Sequence, residues 1–307
     1  MTGTVHVRVP ATSANLGPGF DALGLALTLF DDVYATVTGG GLRIEIDGEG
    51  ADLAGAGERH LVVRAMRAAF DRFGGAQPPG LELRCVNRIP HGRGLGSSAA
   101  AIVAGVLAAQ ALTGTEADPL PLASELEGHP DNVAACLLGG LVISLSAGPV
   151  AVKAVKLEPL ASIRPVVCIA PPEVAVRTEL ARQALPAQVP HQDAAANAGR
   201  AALLIAALTL SGASCHLLDA TRDWLHQDYR KDAMPDTYAL VTALRREGVA
   251  AVVSGAGPSV LALLSGESAS EVDSLGSIVR ETGKAWHISP LDVARHGARV
   301  QRVGGYS

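Results

Sequence analysis

The sequence predicts an α+β fold, and three observations carry that prediction. Strand-like alternation of apolar and polar residues crowds the start of the chain instead of being spaced out by helices. Further along, strands and helices are mixed, but without the clean βαβ order of a doubly wound sheet. Breaks at Gly148-Pro149 and between Pro159 and Pro165 interrupt the chain near its middle, which places a candidate boundary at 148–165. A length of 307 residues fits either two compact lobes or one large domain.

The elements follow in order. Val5 to Val9 alternates with period two and reads as a strand ending at Pro10, which has no N–H to donate. Thr12 to Phe20 is a loop of Ser, Asn, Gly and Pro. Leu23 to Val37 is long strand-like material, and Leu42 to Ile46 another short strand. His60 to Phe70 has helical spacing and stops before Gly74-Gly75 and Pro78-Pro79. Leu81 to Val86 is a strand, followed by a glycine loop and an Ala-rich helix to about Leu112. Pro121 to Leu138 supplies two short helices, and Leu141 to Leu145 a strand. Ala151 to Leu157 and Pro165 to Ala170 read as strands, Thr178 to Leu185 and Asp193 to Leu210 as helices. A helix over Tyr238 to Glu247 ends at Gly248. Ala250 to Val253 and Ser259 to Leu264 then flank a glycine turn, and Ala269 to Thr282 is the last helix.

Composition excludes several classes of function. Hydrophobic residues make up 48% of the chain and charged residues 18%, enough for a sizeable core and unlike a disordered chain. Thirty acidic against 25 basic residues give a net charge of −5, and aromatics are only 3%. Neither a basic surface nor base-stacking platforms for nucleic acid follow from that. Cys85, Cys136, Cys168 and Cys215 lie far apart with no C-x-x-C pair, so neither a zinc site nor a disulfide framework is expected. Four thiols in a reducing cytoplasm are the simpler reading. The residues from Met1 to Pro10 lack an apolar core of signal-peptide length. The uncharged stretches Val133–Val152 and Gly248–Gly266 are broken by Gly and Pro into pieces shorter than the ~20 residues of a membrane span. A soluble, cytoplasmic protein is expected.

Three glycine-rich segments carry the chemistry: Pro10 to Asp21, Pro90 to Ala100, and Ser254 to Ser259. Glycines let the backbone approach a ligand closely, and a helix N-terminus offers unpaired N–H groups to an anion. In the second segment Gly92, Gly94, Gly96 and Ser97-Ser98 stand between a strand and a helix. A capped helix with Ser97 or Ser98 as N-cap needs only one serine and one glycine. Three alternating glycines exceed that need and favour an anion loop. Gly94, Gly96 and Ala99 also satisfy a relaxed dinucleotide fingerprint, with Glu116 or Asp118 suitably placed beyond. Against it, the preceding strand alternates with Glu82 and Arg84, and the loop arrives after some 90 residues instead of opening the domain. A Walker A pattern is absent.

Taken together and in this order, the three segments resemble the GHMP kinase superfamily. Thr12-Ser-Ala-Asn-Leu-Gly-Pro-Gly-Phe-Asp21 narrows the resemblance to the homoserine kinase family. Glu127-Gly-His-Pro-Asp-Asn132, Thr178 to Arg182, Asn197 to Arg200 and Leu225 to Arg230 extend it from Val5 to about Leu264. The resemblance implies a two-lobed fold with the active site in the cleft between lobes. A ribosomal S5 domain 2-like lobe would span residues 1–155 and a ferredoxin-like lobe 156–307. The implied reaction is transfer of the ATP γ-phosphoryl group to the side-chain hydroxyl of L-homoserine, giving O-phospho-L-homoserine in threonine biosynthesis, with Mg²⁺ as cofactor and a homodimer as assembly.

Residue roles follow from the same resemblance. Pro90, His91, Gly92, Arg93, Gly94, Leu95, Gly96, Ser97, Ser98, Ala99 and Ala100 would form the nucleotide loop. Ser98 and Glu127 would face the metal, with Glu125, two residues away, as the alternative carboxylate. Asn15 and Asp21 suit the amine and hydroxyl end of homoserine, and Asp21 either orients the acceptor or takes its proton. Arg182 and Arg230 suit its carboxylate through their planar forks, with His129 and Asn132 completing the wall. Two positions depart from the family pattern: His60, beside the adenine, where Asn is common, and Cys136, where Pro is common.

Overall fold

The computed structural model describes residues 3–146, 152–172, 174, 183–266 and 269–303. Two sheets organise them. The first contains β1 (Thr4–Ala14), β2 (Leu23–Thr38), β3 (Gly41–Gly48), β4 (Gly80–Asn87), β5 (Leu141–Ser146), β6 (Val152–Leu157) and a strand from the chain's far end, β11 (Arg299–Val303). Its main order is β11-β1-β2-β4-β3, with β5 pairing to β2 and β6 to β5. All pairs are antiparallel except β3 with β4. The period-two pattern of β1 sets the faces. Val5, Val7 and Val9 are buried, whereas Arg8 is exposed.

The buried face is covered by α1 (Leu61–Arg72), α2 (Ser97–Thr113), α3 (Leu120–Glu127) and α4 (Asp131–Leu138). The sequence of α2 is apolar around nearly its whole circumference, so it sits in the centre of the lobe and not on its surface. Glycines with left-handed φ bound it at both ends, Gly96 at 69° and Gly114 at 75°.

The second sheet has the order β10-β7-β9-β8, from β7 (Arg164–Ile169), β8 (Ala250–Val253), β9 (Val260–Leu264) and β10 (His287–Pro290). Its strands β8 and β9 are buried throughout, and alternation explains how both faces are used. Val252, Leu261 and Leu263 join the first lobe's core beside α5 (His191–Thr209) and α6 (Leu217–Ala220). Val253, Val260 and Ala262 face a separate core under α7 (Pro235–Arg246) and α8 (Ala269–Glu281). The two lobes thus share a core.

The α+β class and most elements agree with expectation, and two differences have physical causes. β1 does not stop at Pro10. It continues to Ala14 through a register shift between Pro10 and Ala11, where a residue without an N–H costs no ladder bond. β10 and β11 are absent from the sequence reading because they are short and half or fully exposed, with little apolar alternation. β11 returns to pair with β1, and β6 pairs with β5 at the edge of the first sheet. The helix expected over Thr178 to Leu185 lies largely outside the described residues. Among the described residues, no helix is long and apolar enough to cross a membrane.

Cys85, Cys136 and Cys168 are buried and Cys215 is exposed. Burial pushes the thiols of Cys85 and Cys168 up to about 12 and that of Cys136 up as well. Thiolate is the reactive form. A thiol reagent at neutral pH is therefore expected to modify Cys215 rapidly in the folded chain and the other three only after denaturation. Peptide mapping of the labelled protein checks it.

Candidate active site

The three glycine segments, remote in sequence, meet at the N-terminus of α2. Gly92, Gly94 and Gly96 have φ of 64°, 71° and 69°, which only glycine adopts at low cost. A Cβ on Gly94 would lie 2.1 Å from the Ser254 carbonyl oxygen, and one on Gly96 would lie 2.0 Å from Thr12 Oγ1. Ser254 Oγ donates to the Gly94 carbonyl at 2.7 Å and is bonded to Ser13 Oγ at 2.8 Å. Thr12 donates its N–H to the Leu95 carbonyl at 3.0 Å and its hydroxyl to Asn132 Oδ1 at 2.8 Å. The N-cap of α2 is Gly96, and no side chain caps the helix. Neither Ser97 nor Ser98 is spent on capping, so the first-turn N–H groups are left to an anion.

Beside them stands a buried carboxylate. Glu127 ends α3, and the chain reverses at Gly128 with φ 90°. Ser98 Oγ donates to Glu127 Oε1 at 2.6 Å, and His129 Nε2 lies 4.0 Å from the same oxygen. His129 Nδ1 is bonded to Asp131 Oδ1 at 2.8 Å. Burial pushes the Glu127 carboxyl above its ordinary value, with the Ser98 bond and His129 pulling it back. Glu125 lies on the outer side of α3, where it pairs with Arg72. Two residues apart on a helix are on nearly opposite faces, so one glutamate enters the cleft and the other cannot.

The first glycine segment forms the third wall. Asn15, Leu16 and Asp21 hold left-handed φ of 69°, 49° and 53°, unusual outside glycine. Contacts with both lobes hold them there. Asn15 Nδ2 donates to the Gly255 carbonyl at 2.9 Å, its Oδ1 accepts the Asp21 N–H at 3.0 Å, and Asn197 Nδ2 donates to the Pro18 carbonyl at 2.7 Å. Arg230 is 1% exposed, with its guanidinium 5.5 Å over the Phe20 ring and Nη1 donating to His226 Nδ1 at 3.0 Å.

These walls enclose a cavity of about 380 Å³. Of the residues expected from sequence, Asn15, Asp21, Gly92, Gly94, Gly96, Ser97, Ser98, Glu127, His129, Asn132 and Arg230 line it. A second cavity of about 260 Å³ shares Ser97 and Ser98 and adds His60, His91, Leu53, Val62 and Ala100. There His60 starts α1 with its Nδ1 buried and unpartnered among the described residues, and burial pushes its pKa down.

Other expected residues are placed differently. Leu95 and Ala99 bury their side chains in the core, so only their backbone could serve a ligand. Arg93 neither faces solvent freely nor points at the loop's anion position. It donates to the carbonyls of Pro172 and Val174, at 2.9 Å each, and ties the loop to the second lobe. Pro90 lines neither cavity. Arg182 lies outside the described residues. Sequence reasoning missed Thr12, Phe20, Asp131, Asn197 and His226 as parts of the site. Asn197 and His226 lie in the segments that carried the family resemblance, but no spacing rule singles them out.

Residues 60–140 match the family model described as GHMP kinases N terminal domain, and 193–285 that described as GHMP kinases C terminal. Fold and cleft are thus those of a GHMP kinase, a class of phosphotransferase. The chain is 56% identical to a homoserine kinase of Streptomyces avermitilis over 96% of this chain and 95% of that one. It is 49% identical to one from Clavibacter michiganensis, covering 97% and 94%. The crystal structure of homoserine kinase from Cytophaga hutchinsonii superposes with a TM-score of 0.84 at 30% identity, covering 98% of each chain. This chain belongs to the homoserine kinase family.

Proposed function

We propose that this kinase of homoserine uses ATP as donor and Mg²⁺ as cofactor, passing the γ-phosphoryl group to the side-chain hydroxyl of L-homoserine. The observation that carries this reading is one cavity holding three things together: the uncapped start of α2, the Ser98–Glu127 pair, and a cationic end at Arg230. The donor phosphates would take the N–H groups of Gly92 to Ser98, and the base would take the cavity beside His60. The residues fit Mg²⁺. It is a hard cation that needs only one or two carboxylates, with water and phosphate oxygens completing its shell. Glu127 is a buried carboxylate whose charge is disfavoured until a cation neutralises it. When bound, the metal would neutralise charge developing on the phosphate oxygens.

The chain's own residues do the rest. Arg230 binds the homoserine carboxylate through its fork, a role Arg182 would share. Asn15, Asp21, His129 and Asn132 set the amine and place the hydroxyl in line with the phosphate. Positioning of this kind supplies much of the rate of a phosphoryl transfer. Asp21→Asn is expected to raise KM for homoserine by about tenfold or more with a smaller change in kcat. A kcat loss of orders of magnitude at unchanged KM would instead make Asp21 the base.

The lobe division at residues 155/156, a homodimer and a cytoplasmic location complete the proposal. Buried free thiols support the last, and the homodimer rests on the family resemblance, with analytical ultracentrifugation as its test. The decisive experiment is ADP release from MgATP by the purified chain over L-homoserine, L-serine, L-threonine, mevalonate and galactose, with products identified by mass. Turnover selective for homoserine supports the reading, and turnover on another alcohol overturns the acceptor pocket while sparing the phosphate site.

A further inference from the structure

One fully buried histidine, His226, stands between the first glycine segment and Arg230. Its Nε2 lies 2.8 Å from the Gly17 carbonyl oxygen, and its Nδ1 lies 3.0 Å from Arg230 Nη1. A carbonyl oxygen can only accept, so Nε2 carries the proton. A guanidinium can only donate, so Nδ1 carries the lone pair. The two neighbours together fix one neutral tautomer. Were the ring an imidazolium, an N–H would face the guanidinium's own N–H.

The surroundings support the neutral form. Asp223 Oδ2 lies 3.7 Å from Nε2, beyond hydrogen-bond reach. Its oxygens already accept the backbone N–H groups of Leu225, His226 and Gln227 at 2.7–2.9 Å. The Phe20 ring stacks on the imidazole at 5.1 Å and also underlies the Arg230 guanidinium. The charged groups acting on His226 are Asp223, Arg230 and Asp21. Burial is the largest influence and lowers its pKa; Asp223 opposes this, Arg230 reinforces it, and the bond to the Gly17 carbonyl and Asp21 both oppose it.

We propose that His226, as the Nε2–H tautomer, is a positioning residue for homoserine binding: it aims the Arg230 guanidinium and couples it to the Gly17 backbone of the substrate loop. The proposal rests on the assignment of Arg230 to the substrate carboxylate. An arginine fork gains its specificity from orientation, and a fixed acceptor at one Nη limits how the guanidinium can turn in the cavity that Arg230 lines. The same ring also makes the position of Arg230 depend on a loop more than 200 residues away in sequence, the loop that carries Asn15 and Asp21.

Steady-state kinetics of the full chain with His226→Gln, His226→Asn and Arg230→Met test it. Gln offers an amide where Nε2 stood and keeps the Gly17 bond. Asn offers a carbonyl where Nδ1 stood and keeps the acceptor for Arg230. The expected result is a homoserine KM about tenfold or more higher in H226Q, with H226N recovering most of that loss and the ATP KM within about twofold in both. Equal losses in H226Q and H226N, or a parallel rise in the ATP KM, would mean a merely structural role and overturn the proposal. If Arg230→Met leaves the homoserine KM unchanged, the assignment of Arg230 itself fails. If Arg230→Met raises it and His226→Gln does not, the positioning role alone fails. Should H226Q not fold, ¹⁵N NMR of histidine-labelled wild-type chain decides. A neutral Nε2–H ring is expected near neutral pH, and an Nδ1–H ring or an imidazolium overturns it.

Discussion

Glu127→Gln is expected to lower kcat/KM by about 10²–10³, and to leave a folded chain that is more stable than the wild type near neutral pH in the absence of ligand. The amide keeps an oxygen to accept the Ser98 hydroxyl, now bonded at 2.6 Å to the carboxylate, so the local geometry survives. What disappears is the charge that would hold the metal. The stability gain follows from the sign of the pKa shift. Burial raises the folded-state pKa of Glu127 above its unfolded value of 4.5. The favourable contribution of its protonated form is complete below that unfolded value and is lost as pH rises through the folded one. At neutral pH the ligand-free wild type therefore carries a destabilising carboxylate, and the neutral variant does not. Thermal melts across roughly pH 4 to 8 should show the variant's advantage growing with pH, and MgATP should stabilise only the wild type appreciably. Glu125→Gln, on the outer face with Arg72, serves as control. Near-normal activity in Glu127→Gln, or a larger loss in Glu125→Gln, would move the metal ligand elsewhere.

Arg230→Met should raise KM for L-homoserine by about 10² or more, leaving KM for ATP nearly unchanged. The guanidinium is 1% exposed, so a carboxylate that reaches it is bound with little competition from water. Removing it leaves the substrate carboxylate desolvated and unpaired, which costs more than the bond was worth. Arg230→Lys should recover only part of the loss. A compact ammonium restores the charge but cannot donate to His226 and to the substrate carboxylate from one rigid plane. Calorimetric titration with homoserine checks affinity directly, and in wild type homoserine should raise Tm by mass action where Arg230→Met shows no shift. Unchanged affinity would remove Arg230 from the acceptor pocket.

Much of this fold was legible from residue pattern. The Ala-rich run of α2, the apolar strands β8 and β9, and the strand–glycine–helix order at Pro90 to Ala100 are local features, and local sterics and hydrophobic spacing govern them. Exposed elements were not legible. β11 buries none of its side chains and exists because β1 offers it a pairing edge, which no spacing rule reveals. Pro10 read as an end and proved to be a bulge, because the partner strand can shift register there.

The site divides in the same way. Glycines at positions 92, 94 and 96 declare themselves, since side chains at these left-handed positions would collide with Thr12 and Ser254 or strain the backbone. The family motif favours Glu127 over Glu125, and the packing of α3 turns the first toward Ser98 and the second toward Arg72. Arg93 could have faced a phosphate and instead bonds the second lobe's carbonyls. The chain alone set the glycine turns at positions 92, 94 and 96, the Ala-rich helix that follows them and the apolar faces of the buried elements, because these depend on neighbours a few residues away. The burial of Glu127, the single tautomer of His226 and the meeting of Asn15, Ser98 and Arg230 in one cavity belong to the folded molecule. They depend on dielectric surroundings and hydrogen-bond partners brought together from across the chain, and those exist only once the two lobes share a core.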